Sequence, residues 1–267
     1  MDFRPPRPRL DLPALFLRAN AVLMYAFLYA PIAVLIAFSF SGSRYSALWG
    51  GFSTRWYEKL FTNAEIRSAL LTTLALAAAS TLLSTLLGTL AALGLARLAH
   101  RLRRWFETFF YFPVILPDIV MAIALLMFFR TFLPDSLGLP AMIAGHVAFN
   151  LCYVAVIVSA SLKGFNPALE EAALDLGASP WRAFLRVKLP LIWPGILGGA
   201  LLAAALSLDE FVIAFFVSAP GTSTLPIHIY GLLKKGVTPE INALASLMLA
   251  VSILLACLSL LLQKRNS

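Results

Sequence analysis

Six times along this chain the residues stay apolar for about the 20 positions that a helix needs to cross a hydrocarbon layer. The stretches are approximately Ala19–Phe40, Ala69–Leu98, Phe106–Leu133, Leu139–Leu162, Leu189–Val217 and Ala243–Leu262. Lipid offers no partner to an open backbone N–H or C=O, so each stretch is expected to be a helix that satisfies its own backbone. The expected fold class is all-α, a polytopic membrane protein with six transmembrane helices. Composition agrees: 60% of the 267 residues are hydrophobic and 13% are charged, against about 45–50% and about 25% in soluble domains. With no long polar tract between the stretches, residues 1–267 read as one membrane domain, with a tail at 1–18 and core helices within 69–262. The small-x-small tripeptide Ser39-Phe40-Ser41 after the first stretch imitates a signal-peptide cleavage site. The apolar run is too long for a signal core of about 7–15 residues, so an uncleaved first helix is expected.

Six crossings put both termini on one side. If that side is the cytoplasm, it collects fourteen of the 21 Lys and Arg, from Arg4, Arg7 and Arg9 at one end to Lys264 and Arg265 at the other. Short cytoplasmic loops retain positive charge, so cytoplasmic termini are expected. The net charge of +8 is scattered in short groups and forms no stripe, which argues against a nucleic-acid partner. Cys152 and Cys257 lie inside apolar runs, and His100, His146 and His228 are too far apart for ligand spacing, so no metal site, cofactor or catalytic centre is expected. The outer connections Ser41–Ser68 and Ala219–Asn242 carry Trp, Tyr, Gly and Pro and are expected to hold short interfacial helices.

The connection at 163–190, on the cytoplasmic side, is written as two capped helices. Asn166 is a good N-cap and Pro167 suits the first helical position. Glu170 and Glu171 stand near the positive end of the helix dipole, and Gly177 can end the helix in the left-handed region. Leu169, Ala172, Ala173 and Leu176 share one face, and Glu171 and Asp175 another. Ser179-Pro180 starts a second, basic helix expected over Trp181–Lys188, with Pro190 marking the turn into the fifth stretch. On these residues alone the segment could also be a loop that packs on its own helices.

Glu171-Ala172-Ala173, Gly177 after three residues, Val187 after nine more, and Leu189-Pro190 resemble the EAA loop of binding-protein-dependent importer permeases, the type I ABC importers. Only Val187, where the family pattern has Ile, departs from it. The resemblance implies that Glu170, Glu171, Ala172, Ala173, Asp175, Gly177, Leu189 and Pro190 form a coupling helix and its supports, between helices 4 and 5, docked into an ATPase subunit. It also implies a second homologous permease, an external solute-binding protein and an inner-membrane location. The chain has no Gly-x-x-x-x-Gly-Lys phosphate loop, so ATP hydrolysis is expected on another polypeptide.

Three acids fall well inside apolar stretches: Asp118, Asp209 and Glu210. Each costs about 2.5–3.5 kcal/mol at a bilayer centre, so such acids face water or a partner. With no obvious Lys or Arg beside them, they suggest a path that attracts cations. Two readings stand for each: Asp118 lines the path or caps a helix broken by Pro113 and Pro117, and Asp209 and Glu210 line it or bond a neighbouring helix. On an unbroken helix adjacent side chains diverge by about 100°, so the last two could not share one narrow lumen. Four phrases are similar to the smaller permease of spermidine/putrescine-type importers: Trp56-Tyr57-Glu58-Lys59-Leu60-Phe61, Leu116-Pro117-Asp118-Ile119-Val120, the run Ser207–Ile213 around Asp209-Glu210, and the run Gly236–Ala243. The resemblance implies a small organic cation such as a polyamine, with aromatics such as Phe211, Phe215 and Phe216 beside the carboxylates. A secondary transporter would need matched broken helices in two halves, and Pro113 and Pro117 have no clear counterpart.

Overall fold

The computed structural model describes residues 12–45, 48–236 and 238–264. Expectations on Arg4, Arg7, Arg9, Arg265 and Val237, and on most of the tail at 1–18, lie outside those residues. Among the described residues twelve α-helices follow in order: α1 (Leu12–Ser39), α2 (Arg55–Thr62), α3 (Ala64–Arg97), α4 (His100–Ile115), α5 (Asp118–Phe132), α6 (Leu139–Lys163), α7 (Ala168–Asp175), α8 (Pro180–Ala183), α9 (Leu189–Asp209), α10 (Val212–Val217), α11 (Leu225–Leu233) and α12 (Pro239–Lys264). Five helices are long and apolar enough to span a bilayer, and six spans result if the bent pair α4–α5 counts as one. Both outer connections hold a short helix, α2 and α11.

The boundaries differ from the sequence reading in four places. The first helix already starts at Leu12, inside the expected tail. The third stretch is bent by 101° between α4 and α5. Pro117 disfavours helical geometry at Leu116, and both residues are extended, with ψ of 141° and 133°. The fifth stretch starts earlier than expected: α8, a π-helical turn over Phe184–Lys188 and α9 form one continuous helix. Pro190 therefore lies inside that helix and does not mark a turn, because the wider π turn before it makes room where a regular ladder would clash. At its other end the same stretch is interrupted, for Glu210 is extended and α10 starts anew at Val212.

The core is α3 against α6 and α9, with α12 on the far side of α9. No water-driven force pulls helices together in lipid, so small side chains must let the backbones approach. On α3, Thr73, Ala77, Ser80, Ser84, Gly88 and Ala92 form that buried stripe, and α9 contributes Gly195, Gly198, Gly199 and Ala203. A Cβ added at Gly88 would meet Val154 Cβ at 2.8 Å and the Leu151 carbonyl oxygen at 2.9 Å. Ser259 of α12 donates to the Gly198 carbonyl at 2.6 Å, in the buried region. By contrast α1 packs chiefly on α12, and α4 buries none of its residues.

Outside this bundle, α2 lies across the start of α12. Trp56 Nε1 donates to the Ser41 carbonyl at 2.7 Å, and Lys59 Nζ meets Glu240 Oε2 at 2.6 Å. Two of the four phrases, around Trp56 and around Glu240, are thus brought into contact.

Gly88→Ala should destabilise the purified protein by roughly 1–3 kcal/mol, seen as a lower thermal midpoint in detergent. Gly94→Ala, where nothing stands within 4 Å of the added methyl, should leave the midpoint unchanged or slightly raised.

Candidate functional site

The other two phrases also meet. Asp118 at the head of α5 and Asp209 and Glu210 at the end of α9 line one cleft of about 580 Å³, together with Phe149, Phe211, Leu249 and Ser252. A second cleft of about 440 Å³ shares Asp209, Phe211 and Leu249 and adds Tyr230 of α11. No Lys, Arg or His is among the described residues lining either cleft. The Phe211 ring lies 4.9 Å from Tyr230 and 5.2 Å from Phe215, centroid to centroid, tilted against both. Phe216 instead packs against the core.

The three acids are not equivalent. Asp118 is the first residue of α5, where the helix dipole favours negative charge, but its side chain makes no capping hydrogen bond and is exposed. Glu210 is committed. Its Oε1 accepts from the Ile213 N–H at 2.7 Å and its Oε2 from the Ala214 N–H at 3.0 Å, so the carboxylate caps α10. Asp209, one residue earlier, is exposed and lines both clefts. The break between the two also removes the 100° argument made for a continuous helix.

Behind Glu210 lies a buried polar cluster that the sequence reading did not pick out. His146 Nε2 stands 3.2 Å from Glu210 Oε2, outside aligned hydrogen-bond geometry, and its Nδ1 is 3.2 Å from Ser207 Oγ. Asn150 Nδ2 donates to Ser207 Oγ at 2.7 Å, and Ser80 Oγ stands 2.8 Å from the same oxygen. These atoms join α3, α6 and α9. Ser80 is near the middle of α3, about 24 Å from either end. The available signal was a spacing: His146 and Asn150 are one helical turn apart in an otherwise apolar stretch.

The segment at 163–190 is built as its sequence suggests up to Ser179. Asn166 Oδ1 accepts from the Ala168 N–H at 3.1 Å, and Pro167 has helical dihedrals. At the far end Gly177 has φ of +84°. The Ala178 N–H reaches the Ala173 carbonyl at 3.0 Å and the Gly177 N–H reaches the Leu174 carbonyl at 2.9 Å, which is a Schellman closure. Ser179 Oγ accepts from the Arg182 N–H at 3.4 Å. Glu170 Oε2 pairs with Lys188 Nζ at 2.7 Å, and that ammonium also lies 5.4 Å from the Phe165 ring, which braces α7 on the π turn. Yet α7 buries nothing: Glu171, Ala172, Asp175 and Gly177 are exposed, and Leu176 keeps 90% of its surface. Ala173 and Leu189 are half-buried, and Pro190 is exposed.

Helices long and apolar enough to span a bilayer, an acidic cleft at two helix breaks and a capped but uncovered knuckle fit a membrane transport subunit. Residues 84–266 match the family described as binding-protein-dependent transport system inner membrane component, and the chain belongs to that family. Over 235 residues it is 41% identical to the putrescine transport system permease protein PotI of Escherichia coli (strain K12), covering 85% of this chain and 83% of that one. Over 253 residues it is 40% identical to the spermidine/putrescine transport system permease protein PotC of Haemophilus influenzae, covering 94% and 98%. In fold it is similar to a chain of a bacterial ABC transporter involved in import of the acidic polysaccharide alginate, with a TM-score of 0.71 at 19% identity and 96% of each chain covered. The family is one of transport-system membrane components and not of enzymes.

Ser207→Ala leaves the Asn150 amide and the Ser80 hydroxyl without their common partner. It should lower stability by about 1–3 kcal/mol. Ser218→Ala, at a half-buried residue whose hydroxyl makes an exposed hydrogen bond, serves as the control and should change it by less than about 0.5 kcal/mol, both read from thermal midpoints in detergent.

Proposed function

We propose that the chain is one of two permease halves of an ATP-driven polyamine importer and carries its solute past Asp209. The observation that supports this most is the cleft: carboxylates of Asp118 and Asp209 with no balancing cation among the described lining residues, beside Phe211 and Tyr230. Such a surface suits a diffuse cation with methylenes between its charges, through charge and cation–π contact. The permeases named for putrescine and for spermidine/putrescine that share about two fifths of its residues point to the same solute class. Of the two adjacent acids, Asp209 is the exposed one, while both oxygens of Glu210 cap α10 and shape the wall.

In this reading the termini face the cytoplasm, the protein sits in the inner membrane, and α7 is the coupling helix. A helix closed at both ends by its own caps, braced by Glu170–Lys188 and still uncovered at Leu176, suits a partner's groove. The small side chains of Ala172 and Ala173 let that partner approach closely. Because α8, the π turn and α9 are continuous, a push on α7 reaches Asp209 through one rigid rod about 45 Å long. Closure of an ATPase pair would then reorient the cleft as a body. The α4 surface, which buries no residue, is available for the second permease.

The test is ATP-driven uptake of labelled putrescine and spermidine by the complete importer in vesicles. Asp209→Asn should reduce uptake at least about tenfold, while the complex still assembles. Glu171→Arg should release the ATPase on purification and abolish coupled uptake. Undiminished uptake by the Asn variant would remove Asp209 from the path, and uptake of neither amine would remove the solute class.

A further inference from the structure

We propose that His146 is a positioning residue that aims Asp209 into the cleft, an inference that rests on Asp209 being the acid of the path. Ser207 and Glu210 both turn toward α3 and α6: the Ser207 hydroxyl meets Ser80 and Asn150, and the Glu210 carboxylate lies beside His146. The imidazole of His146 spans both: Nδ1 stands 3.2 Å from Ser207 Oγ on the last turn of α9, and Nε2 stands 3.2 Å from the Glu210 carboxylate that starts α10. The ring therefore bridges the two sides of the break. Its side chain is fully buried, and Glu210 keeps only 10% of its own exposure.

Three further contacts make the bridge a fixed point. Asn150 Nδ2 holds Ser207 Oγ at 2.7 Å and reaches toward the Ala203 carbonyl at 3.4 Å, while Ser80 ties the same oxygen to α3 at 2.8 Å. Glu210 in turn holds the first N–H groups of α10. With residues 207 and 210 held toward α3 and α6, residue 209 between them is left exposed toward both clefts, while Glu210 lies at the wall of the larger one alone. No proline or glycine stands at 209–211 to force the turn. Without the imidazole, nothing from α6 would hold the Glu210 carboxylate, and the end of α9 would be free to wind on toward Phe211 and carry Asp209 round the helix. Loss of the Nδ1–Ser207 hydrogen bond together with the close contact to the Glu210 carboxylate corresponds to about tenfold in the population of the aimed conformation.

The experiment reads the direction of residue 209 without relying on transport. In the assembled importer, Asp209→Cys is introduced into a chain with Cys152→Ser and Cys257→Ser, and its rate of modification by a cationic, membrane-impermeant methanethiosulfonate is measured. With His146 present the thiol should react readily, His146→Ala should slow it about tenfold, and His146→Gln, which keeps the reach toward Glu210 but not the arm to Ser207, should fall between. Equal rates with and without His146 would overturn the proposal. If the alanine chain does not assemble, the glutamine chain decides, and a rate equal to that of the histidine chain overturns it. Uptake by His146→Ala in the Asp209 background separates the two claims: slowed modification with unchanged putrescine uptake would leave the clamp standing and remove Asp209 from the path.

Discussion

An interrupted helix inside a membrane protein leaves backbone N–H groups that lipid cannot satisfy, and much of this structure follows from how one such interruption is closed. Between Asp209 and Val212 the chain stops being helical, and the first amides of α10 are met by the two oxygens of Glu210. A buried carboxylate needs company in turn. It has His146, which leads to Ser207, Asn150 and Ser80 and so to the middle of α3. The small-residue stripe of α3 and the glycines of α9 serve the same end, because side-chain groups this short can meet only when the helices run close.

The second interruption, between Ile115 and Asp118, is made differently. There the prolines act locally and the acid is left free at the head of α5. Because α5 packs on α10, the two breaks come together, and their leftover carboxylates, Asp118 and Asp209, share a cleft that holds no cation of its own among the described lining residues. Charge that is costly in lipid is thereby gathered in one cleft. From that cleft to Pro180, beside the knuckle, the chain is a single continuous helix.

Amphiphilic pattern alone made the spans, the two interfacial helices and the capped knuckle legible. Each is governed by local rules: an apolar run long enough to cross lipid, an Asn-Pro start, a glycine that accepts positive φ. Boundaries were less legible where two local signals competed. Pro190 reads as a stop, yet a π turn one step earlier absorbs its ring and the helix runs through. Among site residues, the exposed ones of α7 and the acids were visible as residue types in unexpected places. His146, Asn150, Ser80 and Ser207 were not, since a lone serine or histidine in an apolar stretch looks the same whether it bonds its own helix or a distant one.

What the sequence by itself determined is therefore the class of molecule, the number of apolar stretches, the knuckle with its caps, and the presence of three costly acids. Those features depend on the hydrophobicity, dihedral preference and hydrogen-bonding capacity of neighbours in the chain. Only the tertiary structure decided that the fifth stretch breaks at Glu210, that Glu210 is spent on capping while Asp209 is not, and that Asp118 stands beside them. The break contains no residue that disfavours a helix. It is favoured there by a histidine 64 positions earlier on another helix, and no local rule can read an interaction whose two partners meet only after the bundle has formed.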